Sequence, residues 1–412
     1  MTDASTSTAG TVARPARSLR LVTSVLALAC GMTVANLYYA QPLLDAIARG
    51  FHVGQGTATT VVTLTQIGYA AGLIFVLPAG DLVENRVLVT RTLVLTTVAL
   101  LAAAFSPVYG LFLAASVLVG LTSVVAQILV PMAAHLAPAG EAGRYVGRVM
   151  SGLLLGILLA RTVSSLVADW LGWRSIFVIS AALMVVLAVL LHCVLPARRP
   201  DHTAGYGSLL ASVAELVRHE PVLRRLALCQ ATMFGAFSAF WTAIAYELID
   251  DHGFGQAGVG VFALVGAAGA AAAPLGGWLA DHGFGWVARA AALLLAAIAM
   301  GLAGLFDDSV LLLAVAGVLL DLAVQCHQVM SQQVLYALRP SARARLNTVY
   351  MGTVFVGGAI SSAVAGSLHD AYGWGGVMVY AAALPLAGLL VWATGRTTVP
   401  ATTGTAAARR TA

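Results

Sequence analysis

Charge is what this chain lacks most. Only 9% of its 412 residues are Asp, Glu, Lys or Arg, while 60% are hydrophobic. A soluble domain carries about a quarter charged residues, so the deficit excludes an ordinary soluble fold, and the mean hydropathy of +0.90 points to an integral membrane protein. Lysine is absent altogether, and all 22 basic residues are arginine. With the abundance of Ala and Gly, this indicates a GC-rich bacterial genome and is silent on mechanism. Cysteine is scarce. Cys30, Cys193, Cys229 and Cys326 lie in apolar stretches without paired-ligand spacing, which excludes a disulfide framework and a zinc site. No His-x-x-His, helical His-Glu pair or nucleophile with a base in register is present, so an embedded enzyme is disfavoured. No phosphate-cradling glycine loop occurs either, which argues against direct ATP drive.

What is present is a series of apolar segments of bilayer-spanning length. Twelve are predicted, at 21–47, 57–80, 87–105, 110–137, 145–168, 173–195, 223–249, 255–280, 286–306, 309–338, 348–368 and 374–395. Arg14, Arg17 and Arg20 precede the first, but that run is too long for the apolar core of a cleaved leader and reads as a membrane helix. An even count puts both termini on one side. All arginines except Arg49, Arg161 and Arg174 fall in the termini or the even-numbered loops, so the positive-inside rule places the termini in the cytoplasm. The net charge of +5 therefore sets orientation and is no sign of nucleic-acid binding. The expected partition is a tail over 1–20, a six-helix half over 21–195, a linker over 196–222, a second half over 223–395 and a tail over 396–412. In the linker, Leu209, Leu210, Val213, Leu216 and Val217 form one apolar face opposite Glu215 and Arg218, predicting an amphipathic helix on the inner membrane surface.

Polar residues inside the spans mark candidate sites, because such residues are costly in lipid. Arg161 lies more than a turn or two inside the fifth span. It serves either as a structural cation bound to carbonyls or as a charge on a solute path. Gly152 and Gly156 share a face of that span and predict close helix packing. Asn36 and Tyr39 share a face of the first span with Thr33, Gln66 lies on the second, and Gln127 lies one turn from Pro131 on the fourth. Phe237 and Trp241 form a stripe with Phe234 on the seventh span, with Glu247 near its outer end. The tenth is the most polar: Asp321, Gln325, Gln328 and Gln332 share one face, with His327 beside it. These residues are expected to line a cavity. Asp321 is the leading proton carrier with Arg161 as its partner, and Glu247 and His327 are second choices. For any single Thr or Asn, interhelical hydrogen bonding remains the alternative.

The halves repeat. Asp81 in Pro78-Ala-Gly-Asp recurs as Asp281 in Gly277-Trp-Leu-Ala-Asp, Gly152 recurs as Gly352, and Gly172-Trp173 recurs as Gly373-Trp374. Parallel six-helix halves are the plan of major facilitator transporters. From about Leu21 to Trp392 the chain resembles that superfamily. Gly277-Trp-Leu-Ala-Asp-His-Gly-Phe-Gly285 is similar to its loop signature, with His282 at the usual basic position, and the first copy keeps Asp81 and Arg86. Asn36-Leu-Tyr-Tyr-Ala-Gln-Pro-Leu-Leu44, the Ser151–Thr162 stretch and Gly172-Trp-Arg174 resemble a bacterial efflux-permease branch. Two departures stand out: Ser116 occupies the position where many proton-driven antiporters carry an arginine on helix 4, and Leu159-Ala160 replaces a Gly-Pro pair.

The resemblance implies an all-α membrane protein of twelve helices in two pseudo-symmetric bundles, and a gate loop built on Asp81, Arg86, Gly277 and Asp281. The expected function is proton-coupled efflux of small amphipathic or drug-like solutes by alternating access. The expected site is the bacterial cytoplasmic membrane, with a monomer sufficing. No cofactor is expected beyond the proton gradient, and the partners are the solute, protons and the bilayer. Proton-coupled uptake of a nutrient is the alternative, and a non-transporting sensor a remote one.

Overall fold

A computed structural model describes residues 16–138, 141–196, 205–266, 272–339 and 342–395. The outer parts of both tails therefore lie outside the described residues. Every regular element among those described is helical, as it must be where lipid offers backbone groups no partner.

The helices fall into twelve spans. Span 1 comprises Ala16–Ala35, the 3-10 turn Gln41–Leu43 and Leu44–Phe51; span 2, Gln55–Ala58 and Thr60–Phe75; span 3, Asn85–Ala104; span 4, Tyr109–Thr122 and Val125–Leu136; span 5, Ala142–Leu171; span 6, Ser175–Val194. After the linker helix Tyr206–His219 come span 7, Pro221–Asp250; span 8, Gln256–Phe262 and Ala272–Asp281; span 9, Gly285–Leu305; and span 10, Val310–Leu338. Spans 11 and 12 run through Arg343–Ala393 and divide at Gly373, whose φ of 62° breaks the helix.

Local chemistry explains the breaks. Pro42 sits in the 3-10 turn of span 1, where its missing N–H would unsettle a continuous helix. Gly172 and Gly373 both have positive φ, which only glycine adopts cheaply, so the repeated Gly-Trp pair is a repeated turn. The tryptophans after them anchor the far ends of the two halves. Trp173 packs on Phe51, Phe112 and Phe177, and Trp374 donates to the Ala303 carbonyl at 2.9 Å.

Within each half, spans approach through small residues. Span 5 packs on span 1, where a Cβ on Gly152 or Gly156 would run into the backbone of Ala27 or Gly31. In the second half Gly357 meets the backbone of Ala231 on span 7, a Cβ there coming within 2.8 Å of its carbonyl oxygen. The packing counterpart of Gly156 is thus Gly357. Gly352, paired with Gly152 by sequence offset, has room: a Cβ there would meet only the Ile74 side chain, at 3.9 Å. Between halves, span 2 lies along span 11 and span 5 along span 8. The linker helix buries Val213 and Leu216 and leaves Glu215 and Arg218 exposed, and Tyr206 ties it to span 2 through the Phe75 carbonyl at 2.6 Å.

Backbone contact at Gly156 makes it intolerant of size. Gly156→Val is expected to lower the unfolding temperature in detergent by a loss of about 1–3 kcal/mol, the range for overpacking. Gly143→Ala, on the same span with nothing within 4 Å of the added carbon, is expected to cost nothing.

Candidate functional site

The site is built around Arg161, buried at 3% exposure midway along span 5. A guanidinium at that depth needs compensation. The break in span 1 supplies it: Gln41, held buried in the 3-10 turn, accepts from Arg161 Nε at 2.9 Å. Aromatic rings supply the rest. Arg161 Cζ lies 4.4 Å from the Trp241 ring centroid and 5.1 Å from those of Phe237 and Tyr38, within cation–π range. On its other side the same indole donates Nε1–H to Asp321 Oδ1 at 3.0 Å.

Arg161 and Asp321 are therefore joined through Trp241. Among the described residues they form no direct ion pair, but they are close enough for their charges to interact. The link crosses the molecule: Arg161 belongs to the first half, Trp241 and Asp321 to the second. Gly266 closes the site from span 8, since a Cβ there would stand 2.8 Å from Asp321 Oδ2 and 3.3 Å from the indole. Arg161 Nη2, Gln41 Nε2 and Thr162 Oγ1 are buried without a hydrogen-bond partner. They are places where a solute's acceptor atoms would find donors.

The other expected site residues divide. Gln66 bridges the halves, donating to Ser238 Oγ at 3.1 Å, and Gln127 donates to Tyr69 Oη at 3.2 Å, whose ring meets Phe355 of the second half at 4.4 Å. Phe237 stacks on Phe234 at 5.3 Å and reaches Arg161. Gln325 and Gln328 are half-buried on the Asp321 face of span 10. Asn36 and Tyr39, expected in the cavity, turn away from it. Asn36 accepts from Ser180 at 2.6 Å and contacts Met184 sulfur at 3.7 Å, and Tyr39 lies beside Ser180. That polar stripe holds span 6, and it is the neighbouring Tyr38, not singled out from sequence, whose ring meets Arg161. Both tyrosines lie in the turn between Ala35 and Gln41, where consecutive side chains diverge, and it is Tyr38 that faces span 5.

His327 is also away from the central link. It lies inside the second half, its Nδ1 2.6 Å from Gln230 Oε1. Glu247 is buried about 9 Å beyond Trp241 along span 7. In the gate loop, Asp281 is exposed, Gly277 half-buried, and Arg86 lies 4.0 Å from Glu84 and 3.4 Å from His192 of its own half; the Asp81 side chain lies outside the described residues.

On the side away from the termini, the halves are bolted together. Gln55 donates to Asp250 at 3.0 Å, the Gly56 N–H to Asp370 at 2.9 Å, Tyr246 to the Gln55 carbonyl at 2.9 Å, and Gln256 to the Pro42 carbonyl at 2.7 Å. Sequence inspection missed this latch because its partners are ordinary polar residues far apart in the chain. The hydrogen bonds that join the halves among the described residues lie here or near mid-depth, so the far side is the closed one.

The Major Facilitator Superfamily model matches residues 25–285 and 226–411. The chain is 40% identical over 369 residues to the uncharacterized transporter YgaY of Escherichia coli O157:H7, covering 89% of this chain and 94% of that one. It is 36% identical over 367 residues to the probable transporter SCO4007 of Streptomyces coelicolor, covering 88% and 85%. Among solved structures, the fold is shared with a POT family transporter in complex with a thioalcohol-conjugated peptide (TM-score 0.73, 12% identity, 92% and 96% covered). It is also shared with a bacterial homolog of the human lysosomal transporter Spinster, inward-facing and occupied (TM-score 0.69, 15% identity, 93% and 97% covered).

Asp370→Asn weakens a charge-assisted bond of about 1.5–3 kcal/mol and is expected to open the far side. Electron–electron distance measurements between spin labels at positions 110 and 308, both exposed on that side, should gain a longer component absent from the wild type. Gly56→Ala, whose Cβ would strike the Asp370 carboxylate, should do the same.

Proposed function

Since the chain belongs to the Major Facilitator Superfamily and is a membrane transporter of that type, we propose that it exports small amphipathic or drug-like solutes in exchange for protons. The cycle is alternating access, in the bacterial cytoplasmic membrane with both termini in the cytoplasm, as the arginine distribution favours. One observation carries the proposal: the Arg161–Trp241–Asp321 link spans the two halves at mid-depth.

A buried carboxylate keeps its charge when a cation stands near, and takes a proton when that cation is removed or better neutralised elsewhere. Arg161 moves with one half and Asp321 with the other. Rocking of the halves, or a solute seated against Trp241, changes the distance between the charges and so the proton occupancy of Asp321. In the apolar surroundings of Phe234, Phe237 and Phe262, a solute's hydrocarbon or ring system replaces water favourably. Its acceptor atoms meet the unpaired donors of Arg161 and Gln41. A cationic solute that displaces Arg161 from the rings competes with the proton for Asp321, and competition of that sign is antiport. With the far side latched, this is the state that receives solute from the terminus side.

The unpaired donors favour one second reading. A solute carboxylate that takes Arg161 leaves Asp321 without its counter-charge. Solute and proton then bind together, which is the sign required for uptake by symport.

In proteoliposomes with an imposed pH gradient, Asp321→Asn is expected to lose gradient-driven transport on the order of a hundredfold, as for loss of an essential proton-transfer group. Solute exchange without a gradient should persist. Undiminished gradient-driven transport by Asp321→Asn would exclude it as the coupling residue. Arg161→Lys retains the charge but cannot cover three rings while bonding Gln41, and is expected to weaken solute binding in the same vesicles.

A further inference from the structure

The polar atoms left over around Arg161 point to the chemistry of the solute. Arginine has no acceptor, so Gln41 must turn Oε1 toward Arg161 Nε, and its Nε2 is directed elsewhere. Gln41 Nε2 and Arg161 Nη2 are each two bonds from an atom of that 2.9 Å contact, which keeps them close together. Both are buried without a hydrogen-bond partner, on residues exposed at 0% and 3%. A guanidinium edge beside an amide N–H is a donor set for a carboxylate.

Across Trp241 the chemistry reverses. Asp321 accepts the indole N–H at Oδ1, at 3.0 Å, and its Oδ2 takes no hydrogen bond among the described residues. No cation among them stands in ion-pair contact with it. Two charges of opposite sign, each incompletely satisfied, therefore stand on the two sides of one indole. A solute of one charge answers only one of them. A cation at Asp321 leaves Arg161 facing a second cation, and an anion at Arg161 leaves Asp321 facing a second anion, each a poorly compensated charge in a buried place. A solute with both charges answers both and adds no net charge to the site. Its body takes the faces of Phe237 and Trp241, which Arg161 gives up when it turns to a carboxylate.

We propose that the preferred solutes are amphipathic zwitterions, with a carboxylate for Arg161 and Gln41 and an ammonium for Asp321 at opposite ends of an aryl or hydrocarbon body. The proposal rests on proton-coupled exchange through this site, and it fixes the sign of that exchange. The solute carboxylate draws Arg161 away from Asp321, but the solute ammonium takes the place of that counter-charge, so the proton leaves Asp321 as the solute binds.

The test is calorimetric titration of the purified full-length protein with three solutes built on one body. The first is a biphenyl with an aminomethyl group at one end and a carboxylate at the other. The second is its methyl ester, which keeps only the cation, and the third its N-acetyl derivative, which keeps only the anion. The wild type is expected to bind the zwitterion about tenfold or more tighter than either. Arg161→Gln should erase the advantage over the ester and keep that over the N-acetyl derivative, and Asp321→Asn should do the reverse. If either variant fails to fold, the wild-type series alone decides. Equal affinity of the wild type for the zwitterion and either one-charge solute overturns the proposal, as does failure to bind the zwitterion. Variants that weaken all three solutes equally overturn the assignment to Arg161 and Asp321. Proton release in the same titrations, at a pH low enough for Asp321 to hold a proton in the solute-free protein, separates this proposal from the exchange it rests on. A zwitterion no better than the ester, with proton release intact, removes the solute class and leaves exchange standing. A zwitterion preference without proton release keeps the class and removes exchange.

Discussion

A guanidinium buried in the middle of a membrane protein must be kept company, and the arrangement around Arg161 follows from that requirement. Span 1 breaks after Ala35, and the 3-10 turn that holds Pro42 brings Gln41 to Arg161 Nε. Span 5 can place Arg161 there because Gly152 and Gly156 let it lie against span 1. The second half contributes the faces of Phe237 and Trp241. Cation–π contact is weaker than an ion pair in the same place, and that is its use: it holds a charge at a moving interface without fixing it. Trp241 serves both charges, with its ring toward Arg161 and its N–H toward Asp321. Neither charge can change its surroundings without disturbing the indole.

The latch on the far side gives the central link its mechanical context. Asp370 accepts the N–H of Gly56 and Asp250 the amide of Gln55, so two carboxylates of the second half grip the start of span 2. Exposed bonds of this kind each contribute modestly, and a set of them can hold one of two states that differ by a few kcal/mol. In the proposed alternating-access cycle, opening the latch would separate span 2 from span 11 and shift span 5 against span 8, the surfaces that carry Arg161 and Gly266. In that cycle, closure and charge environment would be parts of one movement.

The twelve spans, the linker helix and the two buried charges were legible in the sequence because each leaves a local mark: an apolar run of bilayer length, an amphipathic repeat, an arginine or aspartate where lipid should exclude it. The Gly-Trp repeat was legible for the same reason, since a positive φ is adopted most cheaply by glycine. What lay hidden depends on contacts between spans. Tyr38 and Tyr39 look equivalent until span 6 claims Tyr39 through Ser180. Gln41 reads as a helix-end residue until Arg161 reaches it. His327 lies only six residues from Asp321, yet it turns into its own half to meet Gln230. Gly352 matches Gly152 by offset, while the close packing falls to Gly357. Periodicity assigns a face to a residue, but only the packed structure says which neighbour that face meets.

The central claim is that solute and proton exchange through the Arg161–Trp241–Asp321 link. The most direct measurement is the proton count on solute binding, taken by calorimetry of the purified protein in buffers of differing ionisation enthalpy, with a cationic amphipathic dye as the solute. At a pH low enough for Asp321 to hold a proton in the solute-free protein, the account predicts release of a proton by the wild type and none by Asp321→Asn. Proton uptake on binding, or release that survives Asp321→Asn, would contradict it.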